Sequence, residues 1–293
     1  MSNYTENHIP DNQNHSWSKI LNFVSEDSEV LDIGCSSGGL GELLIKNKSC
    51  VVDGVEPDKK DSILASNKLN YVWNSDIETA LLNIRKKYDI IIFADVLEHI
   101  LHPDEVLRAI KRIIKPKGRV VFSVPNMSHV SLRLALLRGD WEYNETGLLD
   151  KTHLRYWDLK TIRELFIRSN MNLIKLDTVT YPYTDKLIKD RLKDMGLIAT
   201  ERGLDLLKSP EASAFQIVGY AEFSKVKQKN IKLPETALNK DIEYAIRSYK
   251  NRTIDAEKYA SSMEKKLNLI INSKSYIFAR RLSSIINRFH NIF

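Results

Sequence analysis

Short apolar runs alternate with amphipathic segments from residue 29 to about residue 181. Runs bounded by turn residues read as buried strands, and segments of period 3.6 read as helices. Their alternation marks a parallel sheet covered on both faces. Strands are predicted at 29–34, 50–56, 71–74, 88–94 and 119–124, with helices at 39–47, 59–68, 77–86 and 103–114. Pro103 with Asp104 and Glu105 makes a helix start, and Lys115-Pro116-Lys117-Gly118 a helix stop. After Pro125 the pattern breaks into a segment rich in Arg, Trp and Tyr that runs to Trp157. Asp158 then caps a helix to about Asn170. Strands at 173–181 and 214–223 follow, separated by a polar helical insert containing Lys186 to Lys208. The expected fold is a doubly wound α/β sheet of seven strands, mostly parallel.

The pattern changes again near residue 226. Residues 1–28 form an N-terminal segment, 29–225 the α/β domain, and 226–236 a Lys- and Gln-rich linker with Pro234. Residues 237–293 are read as a helical extension. Positions 238, 242, 245, 249, 252, 256, 259, 263, 266 and 270 follow a 4-3 spacing, a coiled-coil seam broken by Arg252 and Lys266. Such a seam would pair helices in a homo-oligomer or with a partner protein. Beyond it, Phe278, Leu282, Ile285, Ile286, Phe289 and Phe293 share one helical face while Arg280, Arg281 and Arg288 lie off it. That combination suits either a partner surface or peripheral contact with an anionic membrane.

Charge follows the same division. The net charge of +6 comes from the tail: no acidic residue follows Glu264, while six Lys and Arg do. The remainder is balanced, which argues against nucleic acid as the partner of the α/β domain. Two cysteines, Cys35 and Cys50, give no disulfide framework and suit a reducing compartment. With no signal-like or membrane-spanning apolar run, the expected location is cytoplasmic, with a peripheral position at the inner face of the cell membrane as the tail's option.

The chemistry begins at Val30-Leu31-Asp32-Ile33-Gly34-Cys35-Ser36-Ser37-Gly38-Gly39, a strand, a glycine turn and a helix start. Glu56 ends a second apolar strand about twenty residues later, where a carboxylate can accept hydrogen bonds from ribose hydroxyls. Gly34 and Gly38 are separated by three residues, which does not match the dinucleotide G-x-G-x-x-G spacing, and Asp32 would repel a pyrophosphate. A carboxylate there suits a ligand with a cationic amino-acid end, such as S-adenosylmethionine (SAM).

With Tyr88–Asp95 as a fourth strand, the chain resembles the class I SAM-dependent methyltransferases, which have a Rossmann-like fold. The resemblance implies that Asp32, Gly34, Cys35, Ser36 and Gly38 form the first cofactor motif. Glu56 and Pro57 match the ribose motif, Asp76 and Ile77 the adenine motif. Asp95 and Val96, within Phe93-Ala94-Asp95-Val96-Leu97-Glu98-His99, match the motif beside the methionine end. A narrower likeness, over roughly residues 12–180, rests on Ser123-Val124-Pro125-Asn126, Arg133–Gly139 and Gly147–Tyr156. These segments resemble a subgroup found in bacterial surface-polysaccharide and glycan biosynthesis. It implies a sugar or glycan acceptor, lipid- or nucleotide-linked, with a glycosyltransferase as a possible partner.

Methyl transfer to a hydroxyl requires close positioning and a general base. His153 and His99 are the candidates, followed by Asp150, Asp95 or no residue at all. Arg133, Arg155 and Tyr156 are candidates for holding the acceptor. His15 and Trp17 are placed to close over the cofactor. No tight set of carboxylates appears where a magnesium ion would be assembled, so no metal is expected. The leading expectation is O-methylation of a sugar hydroxyl. The alternatives are a non-glycan acceptor such as a quinone-like phenol, and a methyltransferase-like scaffold in a glycan-assembly complex.

Overall fold

The computed structural model describes residues 13–224; residues 1–12, the linker, the coiled-coil seam and the basic tail lie outside the described residues. Strands β1 (Glu29–Ile33), β2 (Val51–Val55), β3 (Tyr71–Trp73), β4 (Tyr88–Ala94), β5 (Ile114–Pro125), β6 (Met171–Thr180) and β7 (Ala214–Phe223) form one sheet. Its order is β3-β2-β1-β4-β5-β7-β6. The first five strands pair in parallel, and β7 runs antiparallel between β5 and β6. The expected seven-stranded, mostly parallel sheet is therefore present.

Alternation along each strand distributes the core between two layers. Leu31, Ile33, Ile91, Phe93, Val120 and Phe122 face one side. There they pack on α4 (Ile77–Asn83), α5 (Pro103–Ala109) and α7 (Leu159–Arg168). Val30, Ile90, Ile92 and Val121 face the other side, against α1 (Ser16–Phe23), α2 (Gly39–Lys48) and α3 (Lys59–Ser66). Asp32 shares the face of Val30 by parity, which puts a carboxylate under the start of α2.

Several boundaries differ from expectation. The helix predicted to 114 ends at Ala109 and tightens into a 3-10 turn at Ile110–Arg112. β5 then begins at Ile114, with Tyr88 opposite Ile114 and Ile90 opposite Arg119. Lys115–Gly118, read as a helix stop, is thus an irregularity inside a strand, with Lys117 at φ +67°. The segment after Pro125 contains a helix, α6 (Val130–Arg138), closed by left-handed Gly139. The polar insert is two helices, α8 (Asp185–Asp194) and α9 (Glu201–Leu207), separated by left-handed Gly196. A last turn, α10 (Pro210–Ser213), leads into β7.

Candidate active site

A cleft of about 530 Å³ opens at the carboxyl ends of β1 and β4, where the strand order reverses. Ligands of open α/β sheets bind at this kind of switch point. The turn from β1 to α2 forms one wall. Gly34 sits at φ +67° and Gly38 at φ +80°, the left-handed region where glycine carries no Cβ penalty. A Cβ on Gly34 would lie 2.6 Å from Val96 Cγ2. The amides of Gly34 and Cys35 donate to the Val55 carbonyl at 2.8 and 3.1 Å, which ties the turn to the end of β2.

Asp32 is the charged group beneath this turn. It is 1% exposed, lines the cleft, and its Oδ1 has no hydrogen-bond partner. Burial, and then the Glu56 carboxylate, push its pKa up to about 7. An unpaired carboxylate in a cleft is costly on its own and fits a cationic ligand group. With the glycine cradle above it, the wall fits the amino-acid end of SAM, whose chemical contribution when bound is an electrophilic methyl on a sulfonium.

The remaining cofactor candidates divide in two. Cys35, Ser36 and Asp95 line the cleft with Asp32 and Gly34. Glu56 does not: its two oxygens accept from the amides of Ser36 (2.9 Å) and Asp58 (2.8 Å). It holds the turn from behind, and burial raises its carboxyl against those two bonds. Asp76 is exposed and caps α4 through the Thr79 amide at 2.6 Å, while Ile77 is buried in the core. Pro57 is exposed, Gly38 packs against Ala65, and Val96 closes over Gly34.

Asp95 sits just past β4 at φ +55°. Its carboxylate accepts from Ser123 Oγ at 3.0 Å and from Gln216 Nε2 at 2.9 Å. Burial raises its pKa; these two bonds oppose the shift. Gln216 and Phe215 line the cleft from β7, about 120 residues away in sequence, and no local signal pointed to them. Trp17 reaches the cleft from α1, whereas His15 caps that helix by accepting from the Trp17 amide at 3.2 Å.

The same cleft carries two histidines. Glu98, His99, Asp150 and His153 all line the cleft. The two imidazole rings meet edge to face with centroids 4.9 Å apart. His99 Nδ1 lies 3.2 Å from the Thr152 carbonyl, and His153 Nδ1 3.3 Å from the Leu148 carbonyl. Burial, then His99, lowers the His153 pKa, which keeps the ring neutral near pH 7. Asp150 accepts from the Thr152 amide (2.8 Å) and hydroxyl (2.6 Å), and these bonds outweigh partial burial in holding its pKa down. Glu98 is the residue that sequence reasoning passed over. It is 1% exposed, and its Oε2 has no partner. Burial and the neighbouring Asp95 raise its pKa well above the ordinary range.

The acceptor candidates lie outside the cleft lining. Arg133 donates to the carbonyls of Ser128 (2.6 Å) and Leu206 (2.8 Å). Arg155 donates to the Leu101 carbonyl at 2.5 Å. Tyr156 packs on the Leu132, Leu148 and Leu149 cluster and forms an edge contact with Trp141.

The family model described as "Methyltransferase domain" matches residues 11–176, more than half of the chain. Ubiquinone biosynthesis O-methyltransferase of Vibrio campbellii is 32% identical over 130 residues, covering 40% of this chain and 54% of that protein. Its counterpart from Yersinia enterocolitica is 30% identical over 121 residues, covering 39% and 50%. The chain thus spans about half the length of the curated relatives it matches. Among solved structures, a SAM-dependent methyltransferase from Archaeoglobus fulgidus superimposes with a TM-score of 0.49. That pair shares 16% identity, covering 70% of this chain and 91% of that one. With its matched span taking in the glycine turn, the buried Asp32 and the two histidines of the cleft, the chain belongs to the methyltransferase-domain family.

Proposed function

We propose that the protein transfers a methyl group from SAM to a hydroxyl of a small phenolic, quinone-like acceptor. The observation that carries this reading is the group of Glu98, His99 and His153, which lines the same cleft as the Asp32 turn. Oxygen acceptors must shed a proton as the new bond forms, and this group is where the proton leaves. A phenol with a pKa near 10 is within reach of a site built from imidazole (about 6.5). An aliphatic sugar hydroxyl lies much closer to water, at about 15.7. The ubiquinone-pathway O-methyltransferases among the relatives support the same acceptor class.

The sugar acceptor favoured by the sequence is kept as a second reading for one reason. Trp141 and Tyr143 are exposed and in edge contact beside Tyr156, and such rings stack on sugar faces as readily as on phenols. Against it, Arg133 and Arg155 donate to backbone carbonyls outside the cleft lining. Supply of methyl-labelled SAM with parallel panels of catechols and nucleotide sugars tests the proposal. Label transferred to a catechol supports it; label found only on sugars refutes the phenol reading. Homo-oligomer, glycosyltransferase and membrane contacts were read on residues outside those described. Among the described residues no helix is long and apolar enough to cross a membrane.

A further inference from the structure

We propose that Gln216 is a specificity-determining residue: the oxygen of its side-chain amide accepts a hydrogen bond from a second hydroxyl of the acceptor, other than the one methylated. Gln216 lines the cleft from β7, and its Nε2 donates to both carboxylate oxygens of Asp95, at 2.9 and 3.0 Å. Ser123 Oγ donates to the same carboxylate at 3.0 Å. These bonds favour the ionised group, which only accepts, so the amide nitrogen must face Asp95 and the amide oxygen must turn away. The two ends of the amide therefore cannot exchange places. Among the described residues nothing donates to that oxygen, and it is not sealed off from solvent, so it opens on the cleft.

The backbone beneath the amide is fixed from both sides. In the sheet Gln216 stands between Pro125 of β5 and Val179 of β6. The buried Asn126 donates through Nδ2 to the carbonyls of Glu211 and Ala214, at 2.8 and 2.7 Å, and through its own amide to the Phe215 carbonyl at 2.9 Å. The chain entering β7 is thus pinned immediately before Gln216. A polar group held this way on a strand cannot swing aside to suit a ligand that offers it no partner. Covering its oxygen with such a ligand leaves an acceptor desolvated and unpaired, which is the basis for rejecting that ligand.

Sheet order decides which ligand supplies the donor. β4 and β5 stand between β1 and β7, so three strand spacings of about 4.8 Å put β7 about 14 Å from the strand that carries Asp32. The amino-acid end of SAM, placed at Asp32, is out of reach, and the donor belongs to the acceptor. The reacting hydroxyl gives its proton to the histidines, so Gln216 requires a second O–H. The inference rests on the proposed hydroxyl acceptor and adds what else that acceptor carries.

The test is steady-state turnover of methyl-labelled SAM by the full-length chain with phenol, catechol, resorcinol and hydroquinone. The wild type should use at least one of the three dihydroxybenzenes about tenfold or more better than phenol in kcat/KM. Gln216→Met keeps the length, removes the amide and should bring that ratio to within about threefold of one. Gln216→Asn draws the oxygen back by one methylene and should show the same collapse if Gln216→Met does not fold. Ser123→Ala loosens Asp95 without touching the amide oxygen, and should slow every acceptor alike with the ratio kept. A wild-type ratio near one, a ratio that survives loss of the amide, or a ratio that collapses equally in Ser123→Ala overturns the assignment. None of these outcomes would disturb methyl transfer to phenols. Label found on sugars and on no phenol refutes the phenol reading instead, and the ratio between a nucleotide sugar and its deoxy derivative, in wild type and Gln216→Met, then decides the role of Gln216.

Discussion

Asp32→Asn is expected to strengthen the ligand-free fold and to weaken SAM binding at once. In the folded chain the Asp32 carboxyl is pushed to about 7 from an ordinary 3.8. At 1.36 kcal/mol per unit, ionising it at pH 8 costs the native state about 4 kcal/mol. An asparagine removes the charge but leaves a buried amide in need of partners, which costs about 1–3 kcal/mol. The net gain is about 1–3 kcal/mol, or a Tm higher by about 2–12 °C for a domain of this size. The sign with pH is fixed by the direction of the shift. A carboxyl with a raised folded pKa favours the native state while protonated, so its contribution is fully present below about pH 4 and is lost as pH rises through about 7. The advantage of the variant should therefore shrink between pH 8 and pH 5. SAM affinity should fall by about 2 kcal/mol, roughly thirtyfold, because the ligand ammonium loses its counter-charge. Wild-type affinity should itself weaken below pH 7, where binding must first displace a proton from Asp32. Thermal melts at pH 8 and pH 5, with titration calorimetry of SAM, read all of these. A variant that melts lower at pH 8 and binds SAM unchanged would show that Asp32 supports the fold and not the ligand.

Three other perturbations separate holding the turn from doing the chemistry. Glu56→Ala strips two backbone amides of their acceptor and should cost about 2–4 kcal/mol in urea unfolding, with SAM affinity falling because the turn loosens. Stability unchanged in that variant would mean the carboxylate is spent on ligand alone. Gly34→Ala should lose about 1–3 kcal/mol, since a left-handed φ and a 2.6 Å approach to Val96 are both violated; Val96→Ala in the same background should recover part of it. His153→Ala should reduce turnover by about 10²–10⁴-fold while SAM binding stays near wild type. Full activity in that variant would remove the two histidines from the reaction.

The β1 turn was legible in the sequence because its constraint is local. Gly34 and Gly38 mark backbone that only glycine enters freely, and Asp32 stands out as a charge on an apolar strand. Strand runs such as Tyr88–Ala94 were legible for the same reason. What escaped depended on distance or on burial. Gln216 reaches Asp95 only because β7 inserts between β5 and β6, an ordering that no periodicity encodes. Glu98 reads as one more residue of a motif until the structure removes its water. Glu56 was expected as a ribose acceptor; the structure adds that each of its oxygens also accepts one backbone amide, a structural role that no local pattern announced. Lys115–Gly118 carries helix-stop chemistry, yet a strand tolerates it as a bulge, because the four residues stand opposite Asp89 alone between two registered pairs, three more than the partner strand has there.

The late insertion of β7 sets an order of events during synthesis. Asp95 is held by Gln216, and the cleft is walled in part by Phe215, so the pocket cannot be complete while the ribosome is still adding residue 200. A nascent chain long enough to pair the first five strands would expose the edge of β5 and the unfinished cleft together. Only when β7 leaves the exit tunnel and threads beside β5 do both close. A complete cleft thus reports that β7 has docked.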